Sequence, residues 1–214
     1  MAESAIKICG ISSPVALAAA AEAGATHIGI VFSEDSPRFV RPRDARALVK
    51  DAPPGVTRVG VFVNAEESLL ERAIPGARLQ ILQFHGDETV EELKKIKARH
   101  KLTIWKAIAV STASDLEKAK RFKGVADGIL FDARTPKASR LPGGTVKTLD
   151  WKLLEKYTHR QPWGLSGGLT ADNVTRALEM TGAPLVDVSS GVESAPGIKD
   201  ATRIKAFVEA VRAA

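Results

Sequence analysis

A single cysteine, Cys9, in 214 residues excludes an internal disulfide and suits a reducing compartment. Long apolar runs are also missing. None approaches the roughly 20 residues a membrane helix needs, and the start, Met1-Ala2-Glu3-Ser4, runs into an apolar stretch too short for a signal-peptide core. The expectation is a soluble cytoplasmic protein with no membrane partner. Aromatics make up only 5% of the residues, leaving few platforms on which bases could stack. The net charge of +6 is dispersed among carboxylates, as in Glu91-Glu92-Leu93-Lys94-Lys95, the pattern of a solvated helix face. No nucleic-acid partner is therefore expected, and the basic balance suits a small anionic ligand better. No Pro/Gly/Ser-rich linker divides the chain, so residues 1–214 are read as one domain.

What the sequence does contain is alternation. Strand-like runs fall at Ala5 to Cys9, His27 to Val31, Val59 to Val63, Ile81 to Phe84, Thr103 to Ala109, Gly128 to Phe131, Gly164 to Leu165 and Leu185 to Val188. The Val/Ile-rich ones have the composition of parallel strands buried on both faces. Helical stretches separate them: Pro14 to Gly24 behind a Ser13 cap, Pro42 to Lys50, Glu66 to Ala73, Glu88 to Arg99, Ala113 to Phe122, Asp150 to Tyr157, Ala171 to Met180 and Ala201 to Val211. In the last, Ile204, Phe207, Val208 and Val211 recur at helical spacing and form one apolar stripe. About eight βα units at this length predict an α/β fold, a single-domain (βα)8 TIM barrel; a doubly wound open sheet is the alternative.

Barrels of this kind work at the C-terminal ends of their strands. Those ends carry Cys9, Gln83 with His85, Asp132, Gly167 with Gly168, and Asp187 with Ser189, Ser190 and Gly191. A thiol at a strand end can act as base or nucleophile once ionised, where a mid-strand thiol is usually packing. Gly167-Gly168 leads into a helix, and the eighth loop, Asp187 to Glu193 followed by Pro196-Gly197-Ile198-Lys199-Asp200, is expected to form a short extra helix pointing to the same place. Together these loops suit a phosphate. Four histidines without ligand spacing and a cysteine without a CxxC partner give no metal site.

Lys7-Ile8-Cys9-Gly10-Ile11, Ser36-Pro37-Arg38, Val59-Gly60-Val61-Phe62-Val63-Asn64, Gln83-Phe84-His85-Gly86, Leu165-Ser166-Gly167-Gly168-Leu169 and Asp187-Val188-Ser189-Ser190-Gly191-Val192-Glu193 resemble, in order and across nearly the whole chain, the phosphoribosylanthranilate isomerase family. The resemblance implies an Amadori rearrangement of N-(5-phosphoribosyl)anthranilate in tryptophan biosynthesis, with no metal or organic cofactor, a phosphoribosyl substrate and a monomeric enzyme. It places Cys9 as general base, Asp132 as general acid and Arg38 on the anthranilate carboxylate. It sets Gly167, Gly168, Ser190 and Gly191 around the phosphate; Gln83, His85 and Asp187, from their strand-end positions, are expected to bind substrate, with a hydrogen-bonded wall residue as the alternative for His85.

The chemistry fits these roles. Ring opening needs a proton on the ribose oxygen, which asks for burial of Asp132. Removal of the C2 proton needs a base, and Lys7, on the same strand face as Cys9, is expected to favour the thiolate. Arg38 offers a planar fork for a carboxylate. Three positions depart from the family pattern: Val146 where a loop glycine is usual, Leu149 for a phenylalanine, and Gly164 where an apolar side chain is common. A related histidine-pathway isomerase would use two carboxylates, a metal-dependent epimerase clustered His and Asp ligands, and a non-catalytic phosphosugar-binding barrel no catalytic pair at all; Cys9, Asp132 and Arg38 argue against each.

Overall fold

The computed structural model describes residues 3–133, 150–155, 157 and 161–214. Eight parallel strands are spaced along it: β1 (Ala5–Cys9), β2 (His27–Val31), β3 (Thr57–Phe62), β4 (Ile81–Phe84), β5 (Thr103–Val110), β6 (Gly128–Ala133), β7 (Trp163–Ser166) and β8 (Leu185–Val188). Each pairs with its sequence neighbour, and β1 also pairs with β8, closing a ring. The closed ring is the (βα)8 barrel and rules out the open sheet.

The helices are α1 (Pro14–Ala23), α2 (Pro42–Leu48), α3 (Glu67–Ala77), α4 (Val90–His100), α5 (Ala113–Leu116, continued by a 3-10 helix over Glu117–Phe122), α6 (Lys152–Glu155), α7 (Ala171–Thr181) and α8 (Ala201–Arg212). Their ends follow the capping chemistry. Ser13 accepts from the Ala16 amide at the start of α1, and Gly24 closes it with φ of 97°. At α4, Thr89 and Glu92 form a reciprocal capping box. Thr89 therefore starts this helix rather than Glu88, whose carboxylate turns inward to the buried Lys106 at 3.0 Å. The expected α5 helix is split because its second half winds as a 3-10 helix. Val146 and Leu149 lie outside the described residues.

Both faces of the ring are filled, but differently. The outer face carries Ile8, Ile28, Ile30, Phe62, Leu82, Phe84 and Phe131, which join the apolar sides of the helices in one core. Phe62 stacks between Phe32 and Phe84 at centroid distances of 5.3 and 5.9 Å. Registered partners on adjacent strands share a face, so Lys7, Cys9, Gly29, Val31, Val61, Gln83, Trp105, Leu130, Asp132, Ser166 and Asp187 line the inside. At Gly164 on β7, a β-carbon would lie 2.4 Å from Leu185 Cδ2, so the neighbouring leucine occupies the space an apolar side chain would need.

His27 sits on the inner face of β2, in register with Lys7 and 5.4 Å from the Trp105 ring. Burial, followed by the Lys7 ammonium, lowers its pKa to about 4, with Asp187 offsetting part of the effect. The unfolded chain binds this proton below about pH 6.5 and the folded one does not, so stability present above that value is lost as pH falls towards 4. Between pH 6.5 and 4, His27→Gln should lose about 2–3 kcal/mol less unfolding free energy than the parent protein, measured by urea denaturation. Equal losses would show that His27 does not titrate in this way.

Candidate active site

A cleft of about 560 Å³ opens at the C-terminal ends of the strands, and Cys9, Arg38, His85, Asp132, Gly167, Gly168, Asp187 and Ser190 line it together with Ser166 and Ser189. These residues come from different loops and strand ends around the ring, and only its closure puts them within reach of one ligand. A larger hollow of about 960 Å³, lined by Phe32, Glu34, Arg41, Asn64 and Arg72 among others, lies over the connections to α2 and α3 and contains none of the predicted residues.

Two predicted residues take other places. Gln83 points into the ring and is fully buried, with no hydrogen-bond partner for either amide atom among the described residues. It is not part of the cleft wall. Gly191 serves by its lack of a side chain: a β-carbon there would sit 2.0 Å from the Leu169 carbonyl oxygen, so the loops after β7 and β8 meet only because this residue is glycine.

At the base of the cleft, Lys7 Nζ donates to both carboxylate oxygens of Asp187 at 2.9 Å, with side-chain exposures of 0% and 4%. Ser166 Oγ lies 3.5 Å from Asp187 Oδ2. Cys9 stands above this pair. A β-carbon at Gly29 would lie 2.8 Å from Cys9 Sγ and 3.1 Å from Lys7 Nζ, so the bare backbone of β2 makes room for thiol and ammonium side by side. Lys7 does favour the thiolate, as expected, but burial outweighs it and Asp187 opposes it, leaving the thiol pKa above its ordinary value.

Asp132 extends from within β6, in register with Ser166, because the strand runs two residues beyond its expected end. Its side chain is 26% exposed, so the strand does not supply the burial expected for an acid. What it has is His85, whose Nε2 lies 3.2 Å from Asp132 Oδ2. This assigns His85 a place beside the proposed acid, which the sequence left open.

Arg38 reaches the cleft, but the Nε/Nη2 edge of its guanidinium already donates to Glu193, at 2.7 and 2.6 Å. Lys199 Nζ donates to the same carboxylate at 2.6 Å and to Ser189 O at 3.0 Å. Ser189 Oγ in turn donates to Cys9 O. In the sequence Glu193 stands out only as the end of a motif and Lys199 carries no signal of its own; nothing local marks a lysine that meets its partners through a reversal of the chain.

That reversal bounds the short extra helix expected of the eighth loop, which does not extend into residues 196–200. The extra helical turn is a 3-10 segment at Ser190–Val192, and the chain then folds into an antiparallel hairpin, β9 (Glu193–Ala195) with β10 (Ile198–Lys199). Opposite it, Gly167 and Gly168 both adopt left-handed backbone, φ 91° and 69°. Asn173 holds that turn by donating from Nδ2 to Gly168 O and accepting from the Thr170 amide. The N-terminus of α7 thus opens beside the two glycines, the arrangement by which backbone amides receive an anion.

Comparison with known proteins gives one consistent result. The family model for N-(5'-phosphoribosyl)anthranilate isomerase matches residues 6–210. The enzyme of that name from Zymomonas mobilis subsp. pomaceae is 49% identical over 207 residues, which cover 96% of this chain and 97% of the relative. The crystal structure of phosphoribosyl anthranilate isomerase from Thermotoga maritima superposes with a TM-score of 0.89 at 38% identity, covering 99% of this chain and 100% of that one. A second structure, of monomers generated from that dimeric enzyme, gives a TM-score of 0.85 at 36% identity, with the same coverage. An isomerase in complex with reduced 1-(o-carboxyphenylamino)-1-deoxyribulose 5-phosphate gives 0.86 at 35% identity, again covering 99% and 100%.

The arrangement at the base of the cleft has a measurable consequence. Alkylation of Cys9 by iodoacetamide, followed from pH 6 to 10, should show a midpoint above that of an ordinary thiol. Asp187→Asn should lower the midpoint, because it leaves the thiolate as the nearest anion to Lys7, and Lys7→Met should raise it. Alkylation at neutral pH should accordingly become roughly tenfold faster in the first variant and roughly tenfold slower in the second. The same midpoint in all three proteins would separate Cys9 electrostatically from the pair beneath it.

Proposed function

The chain belongs to the N-(5'-phosphoribosyl)anthranilate isomerase family and is an isomerase of tryptophan biosynthesis, and from that premise we propose how its own residues divide the work of the Amadori rearrangement. Asp132 gives a proton to the ribose ring oxygen. The ring opens to a protonated Schiff base, and Cys9, as thiolate, removes the C2 proton. The resulting enolamine tautomerises to 1-(2-carboxyphenylamino)-1-deoxyribulose 5-phosphate. Two proton transfers at different atoms suit two groups set well apart around one ring, on β1 and β6.

The observation that carries this reading is the convergence of Cys9, Asp132 and Arg38 on one cleft whose far wall is the Gly167-Gly168 and Ser190 loops. The substrate phosphate is assigned to those loops, next to the N-terminus of α7. His85, in contact with Asp132, acts as its proton partner: whichever group holds the shared proton donates to the other. The thiol pKa is raised before substrate enters, so Cys9 needs a further cation to ionise at neutral pH. The protonated Schiff base formed in the first step is such a cation, which makes ring opening the event that activates the base. The anthranilate carboxylate is assigned to Arg38, but through the Nη1/Nη2 edge, since the other edge is held by Glu193.

The whole chain is proposed as one catalytic domain working in the cytoplasm; among the described residues no helix is long and apolar enough to cross a membrane. A monomer is supported by a cleft whose assigned groups all come from one chain. The dimeric relative from T. maritima is the counter-example, and sedimentation velocity distinguishes the two states.

The assay is the loss of phosphoribosylanthranilate fluorescence on adding purified protein, with substrate generated in place. Asp132→Asn should lower kcat by about two to four orders of magnitude while retaining affinity for a product-like phosphate ligand. Cys9→Ser should keep the fold, by circular dichroism, and lose nearly all turnover, because a hydroxyl is a far weaker base than a thiolate. Near-parental rates in either variant would remove that residue from the mechanism.

A further inference from the structure

Glu193, Lys199 and Arg38 form a group that the reaction does not itself require. Glu193 opens β9 and its side chain is 4% exposed; Lys199 closes β10 at 0%. Arg38 stands across from them on the connection after β2, 155 residues earlier in the chain. Its stem lies over Gly10, where a β-carbon would come within 2.5 Å of Arg38 Cδ. Glu193 accepts from Arg38 Nε and Nη2 and from Lys199 Nζ, and its backbone carbonyl accepts from Arg203 Nη1. Hydrogen bonds from Arg38 and Lys199 outweigh the effect of burial on Glu193 and keep it ionised.

A guanidinium has two edges that can each hold a carboxylate, and they lie in one rigid plane. Fixing the Nε/Nη2 edge therefore fixes the direction of the Nη1/Nη2 edge. A carboxylate that only held Arg38 would also cancel its charge and leave nothing to attract an anion. Lys199 removes that difficulty: the Arg38, Glu193 and Lys199 side chains together carry one net positive charge, Arg203 being spent on the Glu193 backbone carbonyl, and Lys199 is too buried to compete for the ligand itself.

We propose that Glu193 is a positioning residue that aims Arg38 at the carboxylate of the substrate, and that Lys199 balances Glu193 so that the clamp keeps the charge selecting a carboxylate-bearing arylamine. This rests on the assignment of Arg38 to that carboxylate. It makes a substrate-selective clamp out of three residues, two of them on a hairpin outside the eight-stranded ring.

The test compares binding of two reduced product analogues, one with the ortho carboxylate and one with a plain anilino ring, to the parent protein, Arg38→Met, Glu193→Gln and Lys199→Met, together with kcat and KM for the substrate. Arg38→Met should erase the preference for the carboxylate analogue; if it does not, the assignment of Arg38 is wrong, whatever Glu193 does. With that assignment intact, Glu193→Gln should cut the preference at least tenfold and raise KM more than it lowers kcat, while affinity for the plain analogue, which also reports folding, stays within about twofold. Charge alone predicts the opposite sign, because removing an anion from the cluster should tighten carboxylate binding. A preserved or enhanced preference in a Glu193→Gln protein that binds the plain analogue would overturn the positioning role. Lys199→Met, which leaves the cluster neutral, should lose the preference as well, and its retention there would overturn the charge balance. Should Glu193→Gln fail to bind even the plain analogue, Glu193→Asp substitutes for it: the shorter acid keeps the charge but sets its carboxylate one methylene back from the guanidinium, so an undiminished preference would equally overturn the proposal.

Discussion

The contact on which most of this protein depends is the ion pair between Lys7 and Asp187. It joins the first strand to the last, at the seam where the ring closes, and the two residues are also register partners in the β1–β8 ladder. Neither charge has water to fall back on. Taking both out of solvent costs several kcal/mol per ion, recovered through their mutual attraction and two short hydrogen bonds. A one-residue slip in the closing register would turn one partner to the outer face and strand the other, so the pair specifies the closure as well as supporting it. It also sets the electrostatics beneath Cys9, since the ammonium that favours the thiolate is shared with a carboxylate that opposes it.

From that seam the cleft is built outward by residues that hold one another. Ser189, one residue beyond β8, donates to the carbonyl of Cys9 and accepts from Lys199. Lys199 binds Glu193, and Glu193 binds Arg38. A continuous chain of hydrogen bonds, most of them charge-assisted, thus connects the backbone of Cys9 to the guanidinium of Arg38. Such networks hold their members in position because each partly buried group would otherwise lose its partner. Asp132 stands well apart around the ring, more exposed and backed by His85. The two groups proposed for proton transfer therefore lie in different electrostatic surroundings, as a division between acid and base on one substrate requires.

Much of the architecture was legible in the sequence because it is written in local patterns. The β1, β2, β4 and β8 strands fall at their expected limits, since their apolar runs end at turn residues. The start of α1 follows Ser13-Pro14 in the same way. The differences lie where local signals compete or are weak. Glu88 has the composition of a helix start but is drawn into the core by Lys106. Of the eighth loop expected to hold a short extra helix, only Ser190–Val192 is helical; residues 196–200 fold back against Glu193 and Ser194, because a hairpin satisfies their backbone groups through pairing with a neighbour rather than within one segment. Gln83 sits among strand-end polar residues in the sequence and shares the inner face of the ring with Cys9 and Asp132, yet it is fully buried and does not line the cleft, a depth that only the packed barrel sets.

The sequence by itself determined the alternation of eight strands and helices, and it supplied the thiol, carboxyl, guanidinium and glycines proposed for the reaction, because each depends on side-chain type and short-range spacing. Tertiary structure alone decided which charges meet. Lys7 and Asp187 are 180 residues apart, as are Cys9 and Ser189, and Arg38 and Glu193 are 155 apart. Their distances follow from ring closure and from the hairpin that brings β9 and β10 back over Arg38, and no local pattern encodes them. The state of Cys9 shows the same limit: a neighbouring lysine suggested a lowered pKa, whereas burial, which only the packed barrel creates, raises it.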